Sequence, residues 1–220
     1  PAPPPSLLRH AVLPPPAPPG RCDVLLAHGR ILAIGQGLDP RGCGVPVTVI
    51  EAAGDVLAPG LVDGLVHPGG GGGEGGFATR MAPLHAETAL AAGVTTLIGA
   101  LGTDDVTRSH ADLLACARAL ATRGLSVYIL SGSYRVPAVT LTGCIRRDLV
   151  LVPEMIGVGE IAIADHRGSQ PSAAELARIA ADARVGGMLA GKSGTVLVHC
   201  GDAPEALALL REASTRWPVP

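Results

Sequence analysis

From residue 61 onward the apolar positions fall into short, nearly continuous runs, separated by stretches in which they recur every three or four residues. The runs lie at 61–67, 95–101, 126–132, 155–163 and 195–201, and helical periodicity covers 81–92, 109–123, 172–190 and 204–213. Strands that are apolar at successive positions are buried on both faces, as parallel strands are, so the alternation predicts a wound parallel sheet of the α/β class. Periodicity alone leaves barrel and open sheet equivalent. The polar residues gather just past the C-terminal ends of the strands, where (β/α) barrels carry their chemistry, and that favours a TIM-like barrel. Five βα units precede Pro220 and eight close such a barrel, so a partial barrel is expected, with its first and fifth strands as open edges.

Upstream the pattern changes twice. Residues 1–20 are dominated by proline, which fixes φ and cannot donate to a sheet ladder, so an extended loop is expected there. Residues 22–35 read as two short strands joined by a turn at His28-Gly29, and a third strand follows at 45–51. The predicted organisation is a proline-rich segment over 1–20, a small β domain over 21–58 and the partial barrel over 59–220.

Composition narrows the partners. The 220 residues are 47% hydrophobic, enough for a sizeable core, but only 2% aromatic, which leaves little for stacking on nucleic-acid bases. A formal charge of −2 supplies no basic field for phosphate or anionic lipid. The five cysteines are odd in number, widely spaced and without a C-x-x-C pair, which argues against a disulfide framework or a structural zinc knuckle and points to a reducing cytoplasm. No run reaches the roughly 18 apolar residues of a membrane span, and the N-terminus lacks a signal-peptide pattern. Neither nucleic acid nor membrane is an expected partner. The chain begins with Pro1, so it reads as a fragment or as starting from an unusual codon.

The candidate chemistry sits at the strand ends. His67 ends the first run and His199 lies near the end of the fifth; a lone histidine there is usually an ordinary polar residue, but imidazole is also a good ligand for a divalent metal. Glu160 lies inside a strongly apolar run, where a carboxylate is costly unless it is paired or metal-bound. Five glycines at 69–73 lead directly into Glu74; alone they read as a flexible linker. Thr103 and Tyr134 follow the second and third strands, where turn chemistry is the plain explanation, and the plain explanation for Arg167 is a surface salt bridge.

The stretch Pro59-Gly60-Leu61-Val62-Asp63-Gly64-Leu65-Val66-His67 resembles the first barrel strand of amidohydrolases, and the glycine run with Glu74 resembles the branch of isoaspartyl dipeptidases, or β-aspartyl peptidases. Asp165-His166-Arg167 and Val196-Leu197-Val198-His199 match the same family further on. The resemblance implies a zinc-dependent hydrolase that cleaves β-aspartyl dipeptides by attack of a metal-activated hydroxide. It assigns Glu74 to the substrate's α-amino group, Arg167 to its α-carboxylate, Thr103 to the pocket wall and Tyr134 to polarising the scissile carbonyl. His67, Glu160 and His199 become metal ligands, with two zinc ions in a complete site and Glu160 also catalytic.

Two departures qualify it. The family has His-x-His where this chain has Leu65 before His67, and the bridging carboxylated lysine of its best-known members has no counterpart, because the only lysine is Lys192. Glu160 is therefore expected to supply the bridging oxygens. The family's sixth-strand histidine, eighth-strand aspartate and a second arginine would lie beyond Pro220, so the chain is expected to be C-terminally truncated, with little or no peptidase activity. The full-length protein is expected to be a homo-oligomer. Competing expectations are a non-catalytic homologue that retains binding, or an amidohydrolase acting on a cyclic amide.

Overall fold

In the computed structural model, which describes residues 4–17 and 19–217, the chain divides into two compact units, Pro1–Pro59 and Gly60–Pro220. The first is a four-stranded mixed sheet of β1 (Ser6–Val12), β2 (Arg21–Ala27), β3 (Arg30–Gly35) and β4 (Thr48–Glu51), in the order β3-β2-β1-β4. The pairs β1–β2 and β2–β3 are antiparallel and β1–β4 is parallel. β1 corrects the expectation of a proline loop. Its seven residues, SLLRHAV, contain no proline, so the neighbouring prolines bracket the strand without interrupting its ladder, and Leu7 and Ala11 are fully buried. The ladder shifts register between Leu8 and Ala11, and there the buried Asp23 carboxylate accepts the His10 amide at 3.0 Å. Pro3, Pro18 and Pro220 lie outside the described residues.

The second unit is a curled parallel sheet of β5 (Leu61–Val66), β6 (Val94–Gly99), β7 (Ser126–Ser131), β8 (Met155–Ile163) and β9 (Thr195–Cys200), in sequence order. With the helices α1 (Ala86–Ala91), α2 (His110–Ala121), α3 (Ile145–Leu151), α4 (Ala173–Ala190) and α5 (Ala208–Arg216) it forms a partial TIM-like barrel. Edge and centre differ as their neighbours dictate. Eight of the nine residues of β8 are buried, whereas β5, at one edge, leaves Leu61, Val62 and Leu65 exposed. The core lies in two clusters, one around Leu97, Ile129 and Met155 beneath α2, the other around Leu149, Val158 and Ile161 beneath α3 and α4.

Three helices depart from the apolar pattern. α1 begins at Ala86 and not at 81, because the backbone before it is engaged elsewhere: the Met81 amide donates to the Gly71 carbonyl at 2.9 Å and the Leu84 amide to Pro68 at 3.0 Å. α5 lies about four residues later than expected. α3, absent from the periodic reading, is a seven-residue helix held by bonds that the Asp148 carboxylate accepts from Ser131, Leu141 and Thr142. α4, by contrast, starts where its sequence says, with Ser172 and Glu175 forming a reciprocal capping box. No helix among the described residues is long and apolar enough to cross a membrane.

Candidate active site

At the C-terminal ends of the five strands the parallel sheet delivers polar side chains from each. β5 delivers His67. Its Nδ1 lies 3.0 Å from the Ala100 carbonyl, which can only accept, so Nδ1 carries a proton and Nε2 is the ring nitrogen turned to the site. The ring packs on Gly102, where φ is +82° and a Cβ would come within 3.0 Å of His67 Cε1. Glycine at 102 is therefore part of how His67 is seated.

Glu160 comes from the interior of β8 and is 3% exposed. The β8–β9 ladder shifts register between Val158 and Ile161, and a Cβ at Gly159 would lie 2.8 Å from the Leu197 carbonyl, so only glycine allows this approach. Glu160 Oε1 meets His199 Nδ1 at 2.8 Å. Its other oxygen, Oε2, is buried without a hydrogen-bond partner and faces His67 Nε2 at 3.8 Å. A buried carboxylate oxygen without a hydrogen-bond partner is what a cation relieves, and one carboxylate with two imidazoles is a donor set suited to zinc. Among the described residues, however, no group of three or more His, Cys, Asp or Glu side chains is already arranged around one point as a metal site. The donor chemistry fits a divalent ion.

His199 is the hub. Besides Glu160, its Nδ1 is 2.9 Å from the Tyr134 hydroxyl, and its Nε2 is 3.0 Å from Asp165 Oδ2. Burial, reinforced by the Glu160 charge, pushes the Tyr134 hydroxyl pKa well above the ordinary phenol value, so the group is a proton donor at neutral pH. The Arg167 guanidinium stands 5.3 Å from the centre of the Tyr134 ring.

Arg167 is held twice. Its Nε and Nη2 bond Asp165 bidentately at 3.0 and 2.7 Å, and its Nη1 reaches Glu74 at 2.9 and 3.1 Å. These bonds, with Asp165 first, raise the guanidinium pKa further, while Arg167 holds the Asp165 carboxyl far below the usual carboxylate range. Glu74 accepts the Thr103 hydroxyl at 3.0 Å, and that bond, followed by Arg167, lowers its pKa. Six of the seven residues singled out in the sequence are thus joined by polar contacts, from Thr103 through Glu74, Arg167 and His199 to Tyr134 and Glu160, while His67 faces Glu160 at 3.8 Å without a hydrogen bond.

Asp165 was not among them. It is 3% exposed and bonds both Arg167 and His199, and its signal in the sequence is a carboxylate two positions before an arginine at the end of the most apolar strand. His166, its neighbour, is largely exposed and stands 3.6 Å from it. Lys192 lies far from this chemistry in role: its Nζ donates to the carbonyls of Leu149, Val152 and Met155 at 2.5, 2.6 and 2.9 Å, closing the end of α3.

No protein-family model matches the chain. Among solved structures it is similar to the β-aspartyl dipeptidase of the thermophilic, keratin-degrading Fervidobacterium islandicum AW-1 in complex with β-Asp-Leu, with a TM-score of 0.91 and 43% identity over 98% of this chain and 56% of that one. A second structure of that enzyme matches equally well, covering 59% of its chain. The chain therefore spans a little over half the length of these relatives. The D-hydantoinase of a Thermus species, at 20% identity and a TM-score of 0.59, shares the fold alone.

Proposed function

On the premise that this chain is a relative of the β-aspartyl dipeptidases, 43% identical along 98% of its length, we propose that its site recognises and hydrolyses β-aspartyl dipeptides with the aid of zinc. The observation that carries the proposal is the Glu74–Arg167 pair, 2.9 Å apart and joined through Asp165 and His199 to Glu160. An isoaspartyl residue bears a free α-amino and a free α-carboxylate group on the same α-carbon. Glu74 is the acceptor for the first and Arg167 the planar donor for the second.

His67, Glu160 and His199 would hold the zinc, which when bound supplies a water of lowered pKa and polarises the amide carbonyl. The remaining work falls to the chain's own groups. Tyr134, kept protonated by burial, donates to the oxygen of the scissile carbonyl as negative charge develops there. Asp165 orients Arg167 and the Nε2 face of His199. Thr103 fixes the Glu74 carboxylate.

Leu65 weakens the metal arrangement, and turnover by this chain is proposed to be slow for that reason. The test is release of leucine from iso-Asp-Leu with and without added zinc, alongside calorimetric titration of the same dipeptide. Zinc-dependent release supports the hydrolase. Binding without release supports a recognition site that has lost catalysis, and neither binding nor release defeats the proposal.

A further inference from the structure

The loop between β6 and α2 holds two buried charged side chains that contact none of the proposed metal ligands, and each grips a different wall of the site. Arg108 has a side chain only 6% exposed. Its Nη2 donates to the Gly71 carbonyl at 2.9 Å and its Nη1 to Gly72 at 3.4 Å and to Asp104 at 3.2 Å. Gly71 and Gly72 belong to the glycine run leading into Glu74, the part of the chain with the most backbone freedom to lose. Asp105 has a side chain only 7% exposed, and its Oδ2 accepts the Ser133 hydroxyl at 2.6 Å and Arg135 Nε at 2.7 Å. Ser133 and Arg135 are the two residues flanking Tyr134.

We propose that Arg108 and Asp105 are positioning residues, Arg108 setting Glu74 and Asp105 setting Tyr134, so that one loop aligns the amino-group reader with the carbonyl polariser. A fork of N–H donors on two adjacent carbonyls restricts the orientation of that backbone, which a lysine's point charge cannot reproduce. One carboxylate oxygen bonded on both sides of Tyr134 likewise fixes where its ring leaves the chain. The inference rests on the roles given to Glu74 and Tyr134 above, but the restraint itself can be measured without catalysis.

The experiment compares wild type with Arg108→Gln, Arg108→Lys, Asp105→Asn and Asp105→Glu, first by deuterium uptake and mass spectrometry over residues 69–80 and 132–142. Arg108→Gln is expected to speed exchange about tenfold in 69–80 and leave 132–142 unchanged, and Asp105→Asn to do the reverse, one lost charged bond being about a tenfold effect. Arg108→Lys recovers little, Asp105→Glu a substantial part. With iso-Asp-Leu, Arg108→Gln raises KM or the dissociation constant at little cost in kcat, and Asp105→Asn lowers kcat at little cost in KM. Equal loosening of both segments by either variant, or no loosening, overturns the proposal. A wild type that ignores the dipeptide while the exchange pattern splits as stated defeats the functional reading and leaves the restraint standing.

Discussion

Glu74 and Arg167 are bound to each other: Oε1 and Oε2 of the one lie 3.1 and 2.9 Å from Nη1 of the other. The groups proposed to read opposite charges on a ligand thus satisfy one another in its absence. Asp165 holds Arg167 from the other side, so a ligand need not move the arginine to enter. On the proposed roles, an incoming ammonium is expected to take the place of Arg167 at Glu74, and an incoming carboxylate that of Glu74 at Arg167. A ligand with only one of the two charges would break the pair and leave the other member without its charged counterpart, Glu74 keeping only the Thr103 hydroxyl or Arg167 only Asp165.

Iso-Asp-Leu is therefore expected to bind at least about tenfold more tightly than succinyl-leucine, which lacks the amino group. In Glu74→Gln the difference is expected to shrink to about twofold, because no anion is left unpaired. Isothermal titration of both ligands against both proteins measures it, and an undiminished preference in the variant would falsify the exchange.

Zinc is expected to stabilise the chain, by about 2.7 kcal/mol at a hundredfold excess over its dissociation constant, and a chelator to reverse the gain. Glu160→Gln should abolish the effect, because it replaces the buried Oε2 or Oε1 with a donor amide. Leu65→His restores an imidazole two residues before His67 and should tighten zinc binding. Thermal unfolding with and without the metal, on all three proteins, gives the comparison.

Asp148 is fully buried and accepts four bonds, from the Ser131 hydroxyl, the Leu141 and Thr142 amides and the Thr142 hydroxyl, at 2.6 to 3.0 Å. Asp148→Ala removes the acceptor of all four donors, leaves the Ser131 hydroxyl stranded in the interior and is expected to cost about 3 kcal/mol or more. Urea unfolding reads this directly; a loss below about 1 kcal/mol would show that the donors find other partners.

Acid should loosen the β6–α2 loop through Asp104. Bonds from the Thr107 hydroxyl and amide, followed by the Val106 amide and Arg108, lower its pKa from 3.8 to about 2. A carboxyl with a depressed folded pKa contributes stability fully above its unfolded value, and the contribution fades as the pH falls from about 4 through about 2. Wild type should thus lose more unfolding free energy than Asp104→Asn between pH 5 and pH 2, about 5 and about 2 being the two sides of this window. Equal pH slopes for the two proteins would remove Asp104 from the account.

Much of this fold was legible from one-dimensional cues because those cues are local. β8 is apolar along its whole length and runs from Met155 to Ile163 as its sequence predicts, and the Ser172–Glu175 box announces α4. β1 was hidden by its prolines, although none falls within Ser6–Val12. α1 is shorter than its apolar pattern because the amides of residues 81 and 84 bond Gly71 and Pro68, and no local propensity carries that information. α3 is too short to declare a period and depends on Asp148.

Residue types and their placement after apolar runs were enough to single out His67, Glu74, Thr103, Tyr134, Glu160, Arg167 and His199, since a parallel sheet brings all its strand ends to one side. Which of them touch was decided only when the chain closed on itself. The Glu74–Arg167 pair spans 93 positions, and the bond from Tyr134 to His199 spans 65. The anchoring role of Asp165, the grip of Arg108 and Asp105, and the use of Lys192 as a helix-end donor all arise from such distant encounters. A hydrogen bond depends on where two atoms stand in space, and a sequence lists only the order in which they are joined.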